Sequence, residues 1–278
     1  MTTRKPDAGA GDYVFSPDSE IWRINRHANG LLFGPAAVLL QVAHPRIAQG
    51  VANHSDFRND ALGRLRRTLT TVNRIAFGTR RDAEEMRTRM AAIHDRVRGE
   101  SAPGMPGAPR YSAFEPDLML WVLATLIDAS IKGYELVWGP LPTARRAQFY
   151  REFRHFGAYF GLPCDAGPRD YEEFAGYFDG MLHDDILGSH PLCAEVAASV
   201  VHPSGRLRER LLGRAVDFLP IETVPPHLRE RLGLQSTAGT RFRMAVLRRL
   251  APLAFRILPK RLTYYPESYR AERALQVL

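Results

Sequence analysis

Cysteine is almost missing from this chain: Cys164 and Cys193 are the only two in 278 residues, and they do not form a CxxC pair. The sequence therefore predicts neither a disulfide framework nor a cysteine zinc site, and it fits a reducing compartment. No run of about 18 uninterrupted apolar residues occurs, so no membrane span is expected. Met1 to Asp12 is polar and lacks the apolar stretch of a secretory signal. Together these features predict a cytoplasmic protein. There is also no GxxxxGK[ST] loop, GxGxxG after a strand, HExxH or GxSxG, which leaves kinase, dehydrogenase, metalloprotease and hydrolase chemistry without support. Period-two alternation is scarce, which argues against sheets.

Apolar residues at every third or fourth position run through most of the chain, and 45% of the sequence is hydrophobic. The fold class read from this pattern is all-α. No low-complexity linker interrupts the chain, so a single helical domain over residues 19–278 is predicted behind a mobile arm, 1–18. Helices are expected at 19–27, capped by Asp18, and at 34–43, with Pro45 opening the next turn. Two more are expected at 60–77, from Asp60 to the stop at Gly78, and at 81–98, ended by Gly99. Residues 99–109, rich in Gly and Pro, read as a loop or lid. Further helices are predicted at 116–137, 142–160, 170–182, 206–217, 226–232 and 240–258. Lys and Arg number 38 against 30 Asp and Glu, a net charge of +8. The arginines are spread among acids, and the clusters Arg64-Leu65-Arg66-Arg67 and Arg248-Arg249 read first as solvated helix faces.

Polar chemistry concentrates between residues 36 and 98. Met90, His94 and Arg98 recur at four-residue spacing, which on a helix forms one stripe. Such a stripe suits a haem iron held by a neutral imidazole, with methionine against the macrocycle and arginine near a propionate. A histidine before a terminal glycine also stabilises the negative end of a helix, and spacing does not separate these readings. His44, before Pro45, is placed at a helix end facing a pocket, whereas His54-Ser55-Asp56 reads as a local cap. Arg64, Arg67, Thr68 and Thr71 share one helical side and either gather on an anion or form an exposed face. His183-Asp184-Asp185 and His190 have metal-like composition, but no second pair at matching spacing completes a site.

The segments Leu39-Leu40-Gln41-Val42-Ala43-His44-Pro45, His54-Ser55-Asp56-Phe57, Arg64-Leu65-Arg66-Arg67-Thr68 and Ile93-His94 through Gly99 resemble the DUF2236 family. That family includes latex-clearing rubber oxygenases and the oxygenase of the mycophenolic acid pathway. The likeness continues through Pro116-Asp117-Leu118, Trp121-Val122 and Gly139-Pro140-Leu141. The resemblance implies a globin-like helical core holding one haem b, with the proximal iron ligand at His94. It places the distal groups at Arg64, Arg67 and Thr68. Arg67 stands where the family has lysine, and an always-protonated guanidinium is a poor iron ligand, so an open sixth position is expected. Leu123 stands where many members have histidine.

The function expected from this reading is a haem-dependent oxygenase that uses dioxygen on a small or medium apolar molecule, an alkene or isoprenoid. His44 is the spare acid–base candidate, and His94, Arg98 and Met90 are the cofactor-binding residues. A pocket is expected between residues 36–42 and helix 116–137. A non-catalytic haem or ligand carrier and a basic helical regulatory protein remain as alternatives. Nucleic acid is not expected as a partner, and oligomeric state is not legible.

Overall fold

The computed structural model describes residues 10–55, 61–203 and 207–277. The N-terminal residues enter the fold through a single 3-10 turn, Ala10–Asp12, and α1, Glu20–Asn25. Packing begins ahead of residue 19. Tyr13 and Phe15 are buried, and Tyr13 bridges Thr79 and meets Trp22 edge-on at 5.8 Å. The cap of α1 is Ser19, whose hydroxyl accepts from the Trp22 amide at 3.3 Å; Asp18, the expected cap, instead pairs with Arg23.

The centre of the molecule is α2, Gly30–Ala43, crossed by α6, Pro116–Trp138. Ala36, Ala37, Leu39, Leu40, Val42 and Ala43 are all buried, because this near-continuous apolar run has no polar side to turn outward. The crossing is close where Gly133 lies against the Asn29 carbonyl, since a Cβ there would stand 3.0 Å from that oxygen. Two polar ties fix its register: Trp121 Nε1 donates to the Leu40 carbonyl (3.0 Å), and Gln41 Nε2 donates to Thr125 Oγ1 (2.9 Å). At His44 the chain bends by 103° into α3, Pro45–His54, where Pro45 occupies the first turn as expected.

Next come α4, Ala61–Phe77, and α5, Arg80–His94, a helical hairpin closed by a capping box between Thr79 and Asp82. The helix predicted to run to Arg98 stops at His94. Val97 is drawn instead into pairing with Ala113, whose amide donates to its carbonyl at 2.9 Å. A two-stranded hairpin follows, β1 (Arg98–Glu100) against β2 (Arg110–Ser112). These strands replace part of the expected loop. Gly99 lies under the Tyr111 ring, where a Cβ would come within 3.0 Å of the hydroxyl oxygen, and Gln49 of α3 holds Glu100 and Ala102 by their backbones. The remaining loop turns through Gly104 and Gly107, both at positive φ.

The second half carries α7 (Thr143–Ala158), α8 (Tyr171–His183), α9 (Pro191–Val201) and α10 (Leu207–Val216). It continues with α11 (Phe218–Thr223), α12 (Pro226–Arg231), α13 (Ala238–Ile257), α14 (Lys260–Thr263) and α15 (Pro266–Ala274). The chain ends are joined through Glu272 on α15, which is 1% exposed and accepts from Trp22 Nε1 at 3.0 Å and from Arg26. Among the described residues the chain is helical apart from its small β1–β2 hairpin, the all-α class that the sequence predicts. Among the described residues, no single helix is long and apolar enough to cross a membrane.

Candidate functional site

His94 is the last residue of α5, and its ring stands edge-on to Phe114 at 5.8 Å. Its Nδ1 is buried and has no hydrogen-bond partner among the described residues, and burial lowers its pKa, which favours the neutral imidazole. A neutral, buried ring nitrogen with no partner is a donor set that suits a metal. Met90, one turn earlier, is half-buried beside it on the same helix.

Arg98 departs from the predicted stripe. It lies on β1 beyond the helix end, exposed, and pairs with Asp95 at 3.4 Å. The stripe fails because β pairing captures residues 97–100 before the helix can complete its next turn.

The hairpin topology decides how the other predicted residues stand. Arg64 is thirteen residues before the end of α4, and His94 is fourteen after the start of α5. At an equal rise per residue in two packed antiparallel helices, the two positions lie level. The side chain of Arg64 is outside the described residues, as are Asp56 and Asp60. Arg67 and Thr68 are exposed, and the Thr71 hydroxyl is spent on the Arg67 carbonyl at 3.0 Å.

His44 has different neighbours. It sits at the α2–α3 bend, 7% exposed, and its Nδ1 has no hydrogen-bond partner among the described residues. Its pKa is pushed down to about 4, first by burial and then by the Arg46 cation, with Asp184 opposing. At neutral pH it is an uncharged imidazole and a weaker base than a proton relay tuned to pH 7. The link between the two histidines runs through Glu115. This residue grips Arg46, two positions after His44, and is bonded by the Ser112 amide at 2.7 Å, while its neighbour Phe114 packs on His94.

His54 ends α3 and bonds the Tyr111 hydroxyl through Nε2 at 2.9 Å, so it braces the hairpin instead of capping a helix locally. The His183 group is divided among separate tasks. His183 bonds the Asp179 carbonyl, Asp185 pairs with Arg231, and His190 caps α9. The pocket expected between residues 36–42 and helix 116–137 is closed. The cavity there, lined by Ala37 and Leu40 on one side and Asp128 and Ala129 on the other, holds about 10 Å³, roughly one water.

Sequence reasoning missed His27. It is 7% exposed between Trp138 and Tyr264, at 5.0 and 4.8 Å, with Nδ1 unpartnered and its pKa lowered to about 4 by burial and by Arg26 and Lys260. The sequence places His27 at the end of the helix expected over 19–27, which in the structure stops at Asn25, and nothing local marks the histidine as buried.

The family model described as ER-bound oxygenase mpaB/B'/Rubber oxygenase, catalytic domain, matches residues 22–254. The uncharacterized proteins Mb2261 of Mycobacterium bovis and Rv2237 of Mycobacterium tuberculosis are each 26% identical over 239 residues, which is 83% of this chain and 91% of theirs. No solved structure gives a significant match. The matched span runs from α1 into α13 and includes the bend at His44, the α4–α5 hairpin and His94, so the chain belongs to the ER-bound oxygenase mpaB/B'/rubber oxygenase catalytic-domain family.

Proposed function

We propose that the chain is a haem b-dependent oxygenase that uses dioxygen on a small or medium apolar molecule, an alkene or isoprenoid, with His94 as the protein ligand of the iron. One observation carries the haem reading: the half-buried imidazole of His94, whose Nδ1 is shielded from solvent and has no hydrogen-bond partner among the described residues, and whose pKa burial lowers. Among the described residues, no group of three or more His, Cys, Asp or Glu side chains is placed to hold a bare ion. A haem would bring its own ring of nitrogen donors and would need one ligand from the protein, which His94 at the end of α5 would supply. When bound, haem supplies the electron-transfer and dioxygen chemistry that no side chain can.

The chain's own residues do the rest. His94 orients the cofactor at the open end of the hairpin, and the Phe114 ring edge limits rotation of its imidazole. Met90 offers a polarizable surface one turn away, and Arg98, whose exposed side chain pairs with Asp95, would serve a propionate. Arg67 and Thr68, on the helix whose Arg64 backbone lies level with His94, would supply guanidinium and hydroxyl donors to negative charge developing beside the substrate. His44 keeps a neutral imidazole near the bend. The rubber oxygenases in the family's name support an apolar substrate.

Oxygen uptake by haem-loaded protein, measured with a panel of isoprenoid alkenes and isotopically labelled dioxygen, tests the reaction. Label in a product supports the proposal. A stable oxygen complex that leaves every alkene untouched would favour a carrier.

A further inference from the structure

Helix α13 has two apolar sides. Thr240, Met244 and Ala251 are buried, and Leu247 packs on the small cluster of Phe218, Leu219 and Met244. On the other side Phe242, Val246, Leu250, Leu253 and Ile257 are exposed by 70%, 38%, 55%, 56% and 71%. At 3.6 residues per turn these five fall within roughly 80° of the helix circumference, opposite the buried set. The exposed run continues beyond the helix through Leu258 and Leu262.

Within the segment that carries this stripe the charge has one sign, although Arg243 is paired with Asp217 of the neighbouring segment at 2.7 Å. From Arg231 to Pro266 the sequence holds eight Lys or Arg and no Asp or Glu. Arg248, Arg249, Arg256, Lys260 and Arg261 are exposed, and among the described residues none of them has an ion-pair partner. Arg249 and Arg256 border the stripe on one side and Arg243 on the other, by the same helical rotation. At its C-terminal end the stripe reaches a cleft of about 430 Å³ walled by Arg26, Arg256, Lys260, Trp138 and Tyr264.

We propose that the outward face of α13 and α14 is a docking surface for an anionic lipid bilayer, on which the chain lies without spanning it. Helices with an apolar stripe and a cationic rim settle in the interface plane, with the stripe sunk among acyl chains and the cations among headgroups. A second copy would set the uncompensated cations of each chain against one another, and a nucleic acid would press phosphates on the apolar stripe. An anionic bilayer satisfies both components, and the cleft has room for one headgroup. This inference concerns a face of the molecule other than the His94 site and stands whether or not haem binds there.

The test is cosedimentation of the full chain with phosphatidylcholine vesicles, with and without about 30% phosphatidylserine, the anionic component that attracts basic segments. The wild type is expected to pellet with the anionic vesicles and to stay in solution with the neutral ones. Phe242→Ser/Ile257→Ser and Arg249→Glu/Arg256→Glu should each reduce the bound fraction about tenfold or more. Circular dichroism of these exposed-site variants should match the wild type, which separates lost docking from lost folding. Wild-type protein that ignores anionic vesicles, variants that fold and bind as well as wild type, or a dimer dispersed by Phe242→Ser in light scattering would each overturn the proposal.

Discussion

Arg46 and Glu115 form a two-point ion pair across 69 residues of sequence: Nη1 to Oε2 at 2.7 Å and Nη2 to Oε1 at 2.8 Å. The Arg46 side chain is 10% exposed, and it also donates to the Arg110 carbonyl, so a single guanidinium joins α3, β2 and the start of α6. Removing one partner leaves the other charge poorly solvated. Glu115→Gln or Arg46→Ala should cost about 2–3 kcal/mol in urea denaturation. Arg46→Lys should recover only part of this, because an ammonium cannot reproduce the fork.

The Tyr111 hydroxyl accepts from Asn53 Nδ2 and bonds His54 Nε2, each at 2.9 Å, beneath a ring that is 4% exposed. Tyr111→Phe keeps the packing on Gly99 and strands both partners. A loss of about 1–2 kcal/mol is expected, read as a lower melting temperature. Haem uptake should persist, since His54 belongs to the brace.

The folded state keeps His27 and His44 neutral, with pKa values lowered from the usual 6.5 to about 4. Between those values the unfolded chain binds more protons than the folded one, so stability rises with pH in that window and is lost as pH falls through it. Each histidine should remove roughly 3 kcal/mol between pH 7 and pH 4. Urea midpoints measured across that range should fall less steeply for His44→Gln than for wild type; parallel profiles would contradict the assignment.

Gly78 closes the α4–α5 hairpin, and a Cβ there would run into the Arg74 carbonyl and the Asp82 side chain. Because the obstacle includes backbone, Gly78→Ala should destabilise by about 2 kcal/mol or more. It should also disturb the register that sets Arg64 level with His94, lowering haem affinity beyond what a surface glycine would.

Helices were legible because their apolar periodicity and end signals act within a few residues, as Pro45, Asp170 and Pro116 show. The hairpin was not, because its strands are three residues long and are held by contacts distant in sequence, Gln49 to Glu100 and Asn53 to Tyr111. The same long-range pairing shortened α5 and removed Arg98 from the histidine stripe. His94 was found through family resemblance, since spacing alone does not separate a ligand from a helix-end histidine. The buried state of His27 arises from Trp138 and Tyr264, more than a hundred residues away, and no local pattern announces it.

The most direct test of the central proposal is titration of the protein with haem, followed by visible absorption, for wild type, His94→Ala and His54→Ala. The account predicts a Soret band that saturates at one haem per chain in wild type, is retained in His54→Ala, and is lost in His94→Ala although that variant stays folded by circular dichroism. Wild-type protein that takes up no haem, or a His94→Ala variant with an unchanged band, would contradict it.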